Sequence, residues 1–552
     1  MTAINNRKTH THTTATDGQR AGGRERASSS DLPTTTSDQQ FGLFGEVREF
    51  GGSESLKLPS FPHSPSTNAG KKSRGGARGD LESSSLPPMA TRVLDTLAVA
   101  AEDGCGGSGA ALPLTFFDVP WIFTGPVERV FFYPYPHPPE QFRAALLPRL
   151  VSSLSAALGK FYPLLGRVRP CPDGGGYEFF LPAGGGGGGD TVELTVAESE
   201  DDFDELSGDG PRDVARLYSL VPRLPVVEGS GDGGFALAAV QVTVFAGRGV
   251  AVGVSIHHVA CDDSSYMHFV KTWAGHCRLA SGGEDAGAAL PPPPFLDRAV
   301  IADPRGLAAR TLDEMRQLAA NGPPPPPPAP VGPPPKLVIR SFTLARGCID
   351  KLKQRVAADA KDATTHCSAF TVACAFAWAC LARSCSADAP SPASDERAHL
   401  LFSVECRRRL SPPVPQEYLG NCLRPCFVEV STRDLLGADG VTAAAAAIGA
   451  AIRALDGDGV LAGAEGWFQK ILSLVPRRPM SVGGSPRYGV YDTDFGLGRP
   501  SKVELVSIDK TPGTVSLAEG TDGQRGIEVG VALPEADMAR FAASFSDGLQ
   551  QL

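Results

Sequence analysis

The sequence has no uninterrupted apolar run near the roughly 18 residues that span a bilayer, and no hydrophobic core of a secretory signal at its start. A membrane-bound or secreted protein is therefore not expected, and the cytoplasm is the default location. An excess of basic residues is also missing: 52 Lys and Arg stand against 61 Asp and Glu, a formal charge of −9. Nucleic acid and anionic membranes, which need clustered cations, drop out as partners. The 12 cysteines include no CxxC pair, and the closest two, Cys422 and Cys426, have no neighbouring histidine. Neither a disulfide framework nor a bound metal is expected; the thiols read as reduced and mostly buried. No GxSxG elbow occurs, which argues against an acyl-enzyme on a hydrolase serine. Nor is there a phosphate loop: Ala69-Gly-Lys-Lys-Ser73 lacks the first glycine. The GxGxxG matches at Gly104, Gly106, Gly109 and at Gly229, Gly231, Gly234 do not link a strand to a helix.

What is present is a chain of 552 residues, 42% hydrophobic, long enough for two or three domains. Residues 1–88 are rich in Ser, Thr, Gly and Arg and lack apolar periodicity, so they read as a disordered leader, with Met89 looking like a natural start. The six glycines 184–189 read as a surface insertion. The run 322–335 is nearly all proline, a stiff spacer marking the domain boundary. The expected division is 89–320, a crossover linker 321–336, and 337–552. Leucines at 146, 147, 150, 154 and 158 make one helical face between Gln141 and Gly159. Phe235–Phe245 alternates into a turn at Gly247-Arg-Gly249 and reads as a hairpin with the run Gly249–Val254. Further helices are expected at Ile349–Ala358 and Ser368–Arg383, and strands at His399–Glu405, Leu423–Val430, Val503–Ile508 and Gly526–Leu533. Strands and helices mix without a strict βαβ period, so the fold class is α/β.

The chemistry concentrates at Ser255-Ile-His-His-Val-Ala-Cys-Asp-Asp263. The preceding run Gly249–Val254 has the β-branched content of a buried strand, and Asp262-Asp-Ser-Ser265 supplies capping oxygens for a helix from Tyr266 to Trp273. The histidines thus fall between a strand and a helix. Imidazole titrates near neutrality, so His258 is the candidate general base. Asp262 either orients that ring or pins the loop through an arginine. An isolated HxxxD is more often a packed pair than a catalytic one. A second stretch changes the weighing: Tyr491-Asp-Thr-Asp-Phe-Gly-Leu-Gly-Arg-Pro500 is built for a sharp bend and close approach.

Together, His258-Val-Ala-Cys-Asp262 and Asp494-Phe-Gly-Leu-Gly498 resemble the HxxxD and DFGWG signatures of the plant BAHD acyltransferases. Leu497 stands where that family has tryptophan, and Asp263 where it usually has glycine. Three further stretches resemble the flavonoid and phenolic glucoside malonyltransferase branch: Phe116-Phe-Asp-Val-Pro-Trp121, Pro126-Val-Glu-Arg-Val-Phe-Phe-Tyr133 and Glu405-Cys-Arg-Arg-Arg409 with Tyr418-Leu-Gly-Asn-Cys422. The resemblance implies two similar chloramphenicol acetyltransferase-like domains joined by a long crossover, with an active-site channel between them. It implies that His258 deprotonates an acceptor hydroxyl, that Asp262 points away from the site toward an arginine, for which Arg407 is the candidate, and that Asp494, Phe495, Gly496 and Gly498 form a structural or active-site loop within reach of the channel.

The co-substrate implied is an acyl-CoA, most naturally malonyl-CoA, and the acceptor a hydroxyl of a flavonoid or phenolic glucoside, handled by a monomer. Arg499 and Lys502 are the candidate cations for the CoA side. A hydroxycinnamoyl or other acyl-CoA donor is the nearest alternative. Leu497 and Asp263 motivate a second, a weakly active CoA- or ligand-binding member. A metal hydrolase using His257, His258 and Asp262 is a third. Oxyanion donors are not identifiable from the sequence.

Overall fold

The computed structural model describes residues 90–102, 111–172, 175–181, 191–225, 234–282, 289–320, 335–359, 367–386, 395–457, 459–521, 523 and 525–552. The expected leader 1–88, the glycine insertion 184–189 and the proline run up to residue 334 lie outside them.

Two large mixed sheets carry the architecture. Among the described residues the first has six strands, in the spatial order Thr91–Ala100, Thr191–Ser199, Ala238–Phe245, Gly249–His257, Pro126–Pro134 and Lys502–Leu505. The second has seven: Leu423–Ser431, Arg397–Glu405, Met480–Gly483, Thr514–Glu519, Ile527–Pro534, Leu337–Leu344 and Arg212–Asp213. Each sheet contains parallel and antiparallel neighbours. The edge strand Lys502–Leu505 comes from the second half of the chain into the first sheet, and Arg212–Asp213 goes the other way. Burial of Arg212 against Glu504 Oε2, at 2.6 Å, ties the two exchanged strands together.

The strand Gly249–His257 is buried along its whole length, as its run of valine and isoleucine dictates. It pairs with Ala238–Phe245 through a turn at Gly247, which takes φ +68°, and on its other side with Pro126–Pro134. Gly253 lies in its middle because the Leu220 carbonyl passes there: a Cβ would sit 2.1 Å from that oxygen. Ser255 Oγ then donates to the Pro222 carbonyl at 2.6 Å. The strand delivering the histidines is thereby held on both edges and one face.

The helix Asp263–Leu279 comes next, packed by Tyr266, Phe269, Val270 and Trp273 onto Leu150, Leu154 and Leu158 of the helix Leu147–Lys160. Buried helices Ala369–Ser386 and Gly440–Gly457 cover the second sheet. The strand expected over Val503–Ile508 ends at Leu505. A 3-10 turn, Val506–Lys510, continues the chain, burying Val506 and Ile508 against Leu217 and Leu220.

Candidate active site

His257 and His258 leave the strand end in opposite senses. The His257 ring is buried against Phe235, with centroids 4.4 Å apart, and its Nδ1 accepts the Val259 N–H at 3.2 Å. Burial, together with the neighbouring His258, pulls its pKa down to about 3, so it is a neutral structural residue. His258 is half-buried. Trp121 lies flat on its imidazole, centroids 3.7 Å apart and planes 3° from parallel. Burial lowers the His258 pKa below the usual histidine value, and its own backbone and the carboxylates of Asp262 and Asp263 pull back against that. The ring is therefore held unprotonated at neutral pH, the form a general base requires. Its Nδ1 is buried and, among the described residues, has no hydrogen-bond partner.

Asp262 faces away from the imidazole. Its Oδ1 accepts the Ser265 N–H at 3.0 Å, capping the helix, and the Arg407 guanidinium grips both oxygens at 2.8 and 3.0 Å. The Cys422 N–H adds a third kind of donor at 3.0 Å. Both charged side chains are completely buried. Burial works against the arginine's charge, and Asp262 more than offsets it, leaving the guanidinium pKa raised. The same Arg407 Nη2 that meets Asp262 Oδ1 also lies 3.0 Å from Ser265 Oγ and from the carbonyls of Tyr418 and Gly420. A loop from the second half of the chain thus clamps the HxxxD turn.

Sequence reading missed a second clamp. Asp118 is fully buried and takes Arg298 Nη2 on one oxygen and the backbone and side-chain amides of Asn421, both at 3.1 Å, on the other. Asn421 Nδ2 then donates to the His258 carbonyl at 2.9 Å and the Val259 carbonyl at 3.2 Å. Asp118 and Trp121 sit three residues apart on one short turn, Val119–Trp121, so a single motif holds the backbone of His258 and covers its ring. The signal was available: a carboxylate among Phe116, Phe117 and Trp121 has to be paired if those aromatics are core.

Of the two roles expected for the Asp494–Gly498 loop, structural or active-site, its contacts fit the structural one. Asp494 Oδ1 collects the N–H groups of Gly496, Leu497 and Gly498 at 2.7, 3.0 and 2.9 Å, closing a tight turn in which Gly496 and Gly498 take φ +77° and +82°. Phe495 is buried edge-on between Tyr133 and Trp273. Tyr133 pairs with Val250, seven residues before His257, which puts the loop about 23 Å along the strand from the catalytic turn. Asp494, Phe495, Gly496 and Gly498 are a structural wedge, remote from His258. The reason is visible in the aromatic cluster: the loop locks the far end of the strand and of the helix that the histidines join.

Lys502 is a correction. Its ammonium is buried and bound to Glu528 Oε2 at 2.8 Å and Asp209 Oδ1 at 2.7 Å, an internal ion pair at the strand exchange with no cation to offer a phosphate. Arg499 is half-exposed, its Nε on the Tyr491 carbonyl at 3.1 Å and Nη2 3.4 Å from Asp492. His257, His258 and Asp262 diverge into separate contacts. Among the described residues no group of three His, Cys, Asp or Glu side chains is arranged to hold a metal ion. No helix of the described residues is long and apolar enough to cross a membrane.

Residues 107–547 match the model of the Transferase family. The chain belongs to that family, the BAHD acyltransferases. This acyltransferase is 36% identical over 468 residues to coumaroyl-CoA:anthocyanidin 3-O-glucoside-6''-O-coumaroyltransferase 2 of Arabidopsis thaliana, covering 83% of this chain and 97% of that one. It is 34% identical over 445 residues to malonyl-coenzyme A:anthocyanin 3-O-glucoside-6''-O-malonyltransferase of Dahlia pinnata, covering 80% and 94%. The crystal structure of vinorine synthase superimposes with a TM-score of 0.57 at 18% identity, covering 82% of this acyltransferase and 96% of that chain. The expected α/β acyltransferase fold and acyl-CoA-dependent transfer agree with these findings.

Proposed function

We propose that the protein transfers an acyl group from its CoA thioester to a hydroxyl of a flavonoid or phenolic glucoside in a ternary complex, with His258 as general base. The observation that carries this is His258 itself: half-buried, neutral at physiological pH, its backbone fixed by Asn421 and its turn by Arg407. Nδ1 is buried, which leaves Nε2 to take the proton. His258 removes the acceptor's hydroxyl proton, and the alkoxide attacks the thioester carbonyl. The tetrahedral intermediate collapses by breaking the C–S bond, and the CoA sulfur takes the proton back from the imidazolium.

The relatives named for anthocyanidin and anthocyanin glucosides support the acceptor class, and the acyl groups in their names, coumaroyl and malonyl, frame the donor. Arg499, half-exposed beside Asp492, is the cation we retain for a CoA phosphate. The two large sheets support a reading of 89–320 and 337–552 as paired acyltransferase domains joined by 321–336. We read the protein as a cytoplasmic monomer, in line with the acidic charge balance. The test is release of free CoA from coumaroyl- or malonyl-CoA with an anthocyanidin 3-O-glucoside. Wild type should release CoA in step with acylated product, and His258→Ala should lose nearly all of it. An unchanged rate in that variant would remove His258 from the chemistry.

A further inference from the structure

Asn421 meets the catalytic turn with one half of its amide satisfied and the other half empty. Its Nδ2 faces three acceptors: Asp118 Oδ1 at 3.1 Å and the carbonyls of His258 and Val259 at 2.9 and 3.2 Å. Three acceptors around one atom fix it as the nitrogen, so the amide cannot be turned over. The side chain is completely buried, and its Oδ1 has no donor among the described residues. An amide oxygen shut away from water is costly while it stays unpaired. His258 Nδ1 is a second buried atom without a partner, on the residue whose carbonyl Asn421 already holds. The carboxylates around the ring are occupied elsewhere: Asp262 by Arg407, Asp263 by Arg129, and Asp118 by Arg298 and Asn421 itself. The neighbouring His257 is neutral and gives its Nδ1 to the Val259 N–H. Burial sets the direction of the His258 pKa, downward. His258's own backbone, Asp262, Asp263 and then the Asn421 side chain oppose it, as an oxygen facing the ring does.

We infer that Asn421 is a positioning residue for the base: its Oδ1 accepts the N–H of His258 Nδ1, holding the ring in the tautomer whose Nε2 is bare. This rests on the acyltransferase reading above and gives the HxxxD turn an orienting group that Asp262, turned toward Arg407, does not supply. Which ring nitrogen of a histidine carries the proton is set by the bond the other side of the ring makes. Once Nε2 has taken the acceptor's hydroxyl proton, the same oxygen faces a charged donor and supports the imidazolium until the proton passes to the CoA sulfur. Asp118 strengthens the arrangement. Its carboxylate, fixed by Arg298, draws on the Asn421 Nδ2 hydrogens, and an amide polarised at its nitrogen is a better acceptor at its oxygen.

The experiment has two readouts on the full chain. The first is the nitrogen NMR spectrum of protein labelled at its 10 histidines, with the His258 signals identified by their absence from His258→Ala. Wild type at neutral pH should show Nδ1 protonated and Nε2 bare. A bare Nδ1 overturns the inference, and leaves the Asn421 oxygen to Tyr418 Oη or Arg407 Nε, which are also buried and unpaired. The second is CoA release by Asn421→Ala from coumaroyl-CoA with an anthocyanidin 3-O-glucoside. Loss of a bond to a charged ring should lower kcat by about 10- to 100-fold with KM unmoved. The acid limb of the pH profile should move to lower pH, because the imidazolium has lost its acceptor. A residue that only braced the loop would, when removed, let water reach the ring and move the limb up toward about 6.5, and that result overturns the inference. If Asn421→Ala does not fold, the wild-type spectrum alone decides. Wild type that transfers from neither coumaroyl-CoA nor malonyl-CoA would sink the acyltransferase reading while leaving the tautomer as measured.

Discussion

Arg407 holds Asp262, 145 residues earlier in the chain, through its two terminal guanidinium nitrogens at 2.8 and 3.0 Å, with neither side chain open to solvent. The aspartate of the HxxxD turn is thus a structural anchor. It fixes where the strand ends and the helix begins, and the imidazole stands between them.

Removing one partner of a buried pair strands the other. Arg407→Met should therefore cost about 3–5 kcal/mol of stability. Arg407→Lys should cost less but not recover wild type, because an ammonium cannot fork onto both oxygens. Denaturant unfolding measures both, and a loss below about 1 kcal/mol in Arg407→Met would contradict the buried geometry.

The remote position of the Asp494–Gly498 loop gives the opposite signature. Asp494→Ala leaves three N–H groups of the turn without their acceptor and should lower stability by about 1–3 kcal/mol. At temperatures where the variant is folded, kcat should match wild type, since the loop does not meet the reacting groups. A kcat loss of more than tenfold in fully folded protein would place the loop in the chemistry after all.

The pH dependence is set by the direction of the His258 shift. The base works only when unprotonated, and burial lowers its pKa below the usual histidine value. Activity is then retained as pH falls through the ordinary histidine range of about 6.5 and declines only below it. A kcat/KM profile whose acid limb lies above that range would refute the lowered pKa.

Trp121 packs flat on the base, and ring pairs of this kind contribute about 0.5–1.5 kcal/mol. Trp121→Ala should lower kcat/KM by about 3- to 10-fold through a looser imidazole, with Trp121→Phe in between. An unchanged kcat/KM in Trp121→Ala would mean the stacking does not organise the base.

The strand Gly249–His257, its hairpin partner and the helix after Asp262 were legible in the sequence because valine runs, Gly247 and a capping carboxylate are local signals. Arg407 facing Asp262 was legible only through resemblance, since nothing local says which of three adjacent arginines turns inward. Lys502 misled because a cation near a glycine loop looks exposed, whereas its partners Asp209 and Glu528 are brought to it by strand pairing far along the chain. The clamp through Asp118 and Asn421 was hidden for the same reason: the two are 303 residues apart and meet only once both sheets are formed.

The two edge strands that change sheets have a consequence for synthesis. Lys502–Leu505 finishes the sheet that bears the histidines, yet it leaves the ribosome long after Pro126–Pro134, the strand it pairs with. Until then the outer edge of Pro126–Pro134 has no neighbour over Arg129–Phe132, and Arg212 has no Glu504. A nascent first half therefore waits with an open flank, so chaperone dependence should be greatest while Lys502–Leu505 has yet to emerge.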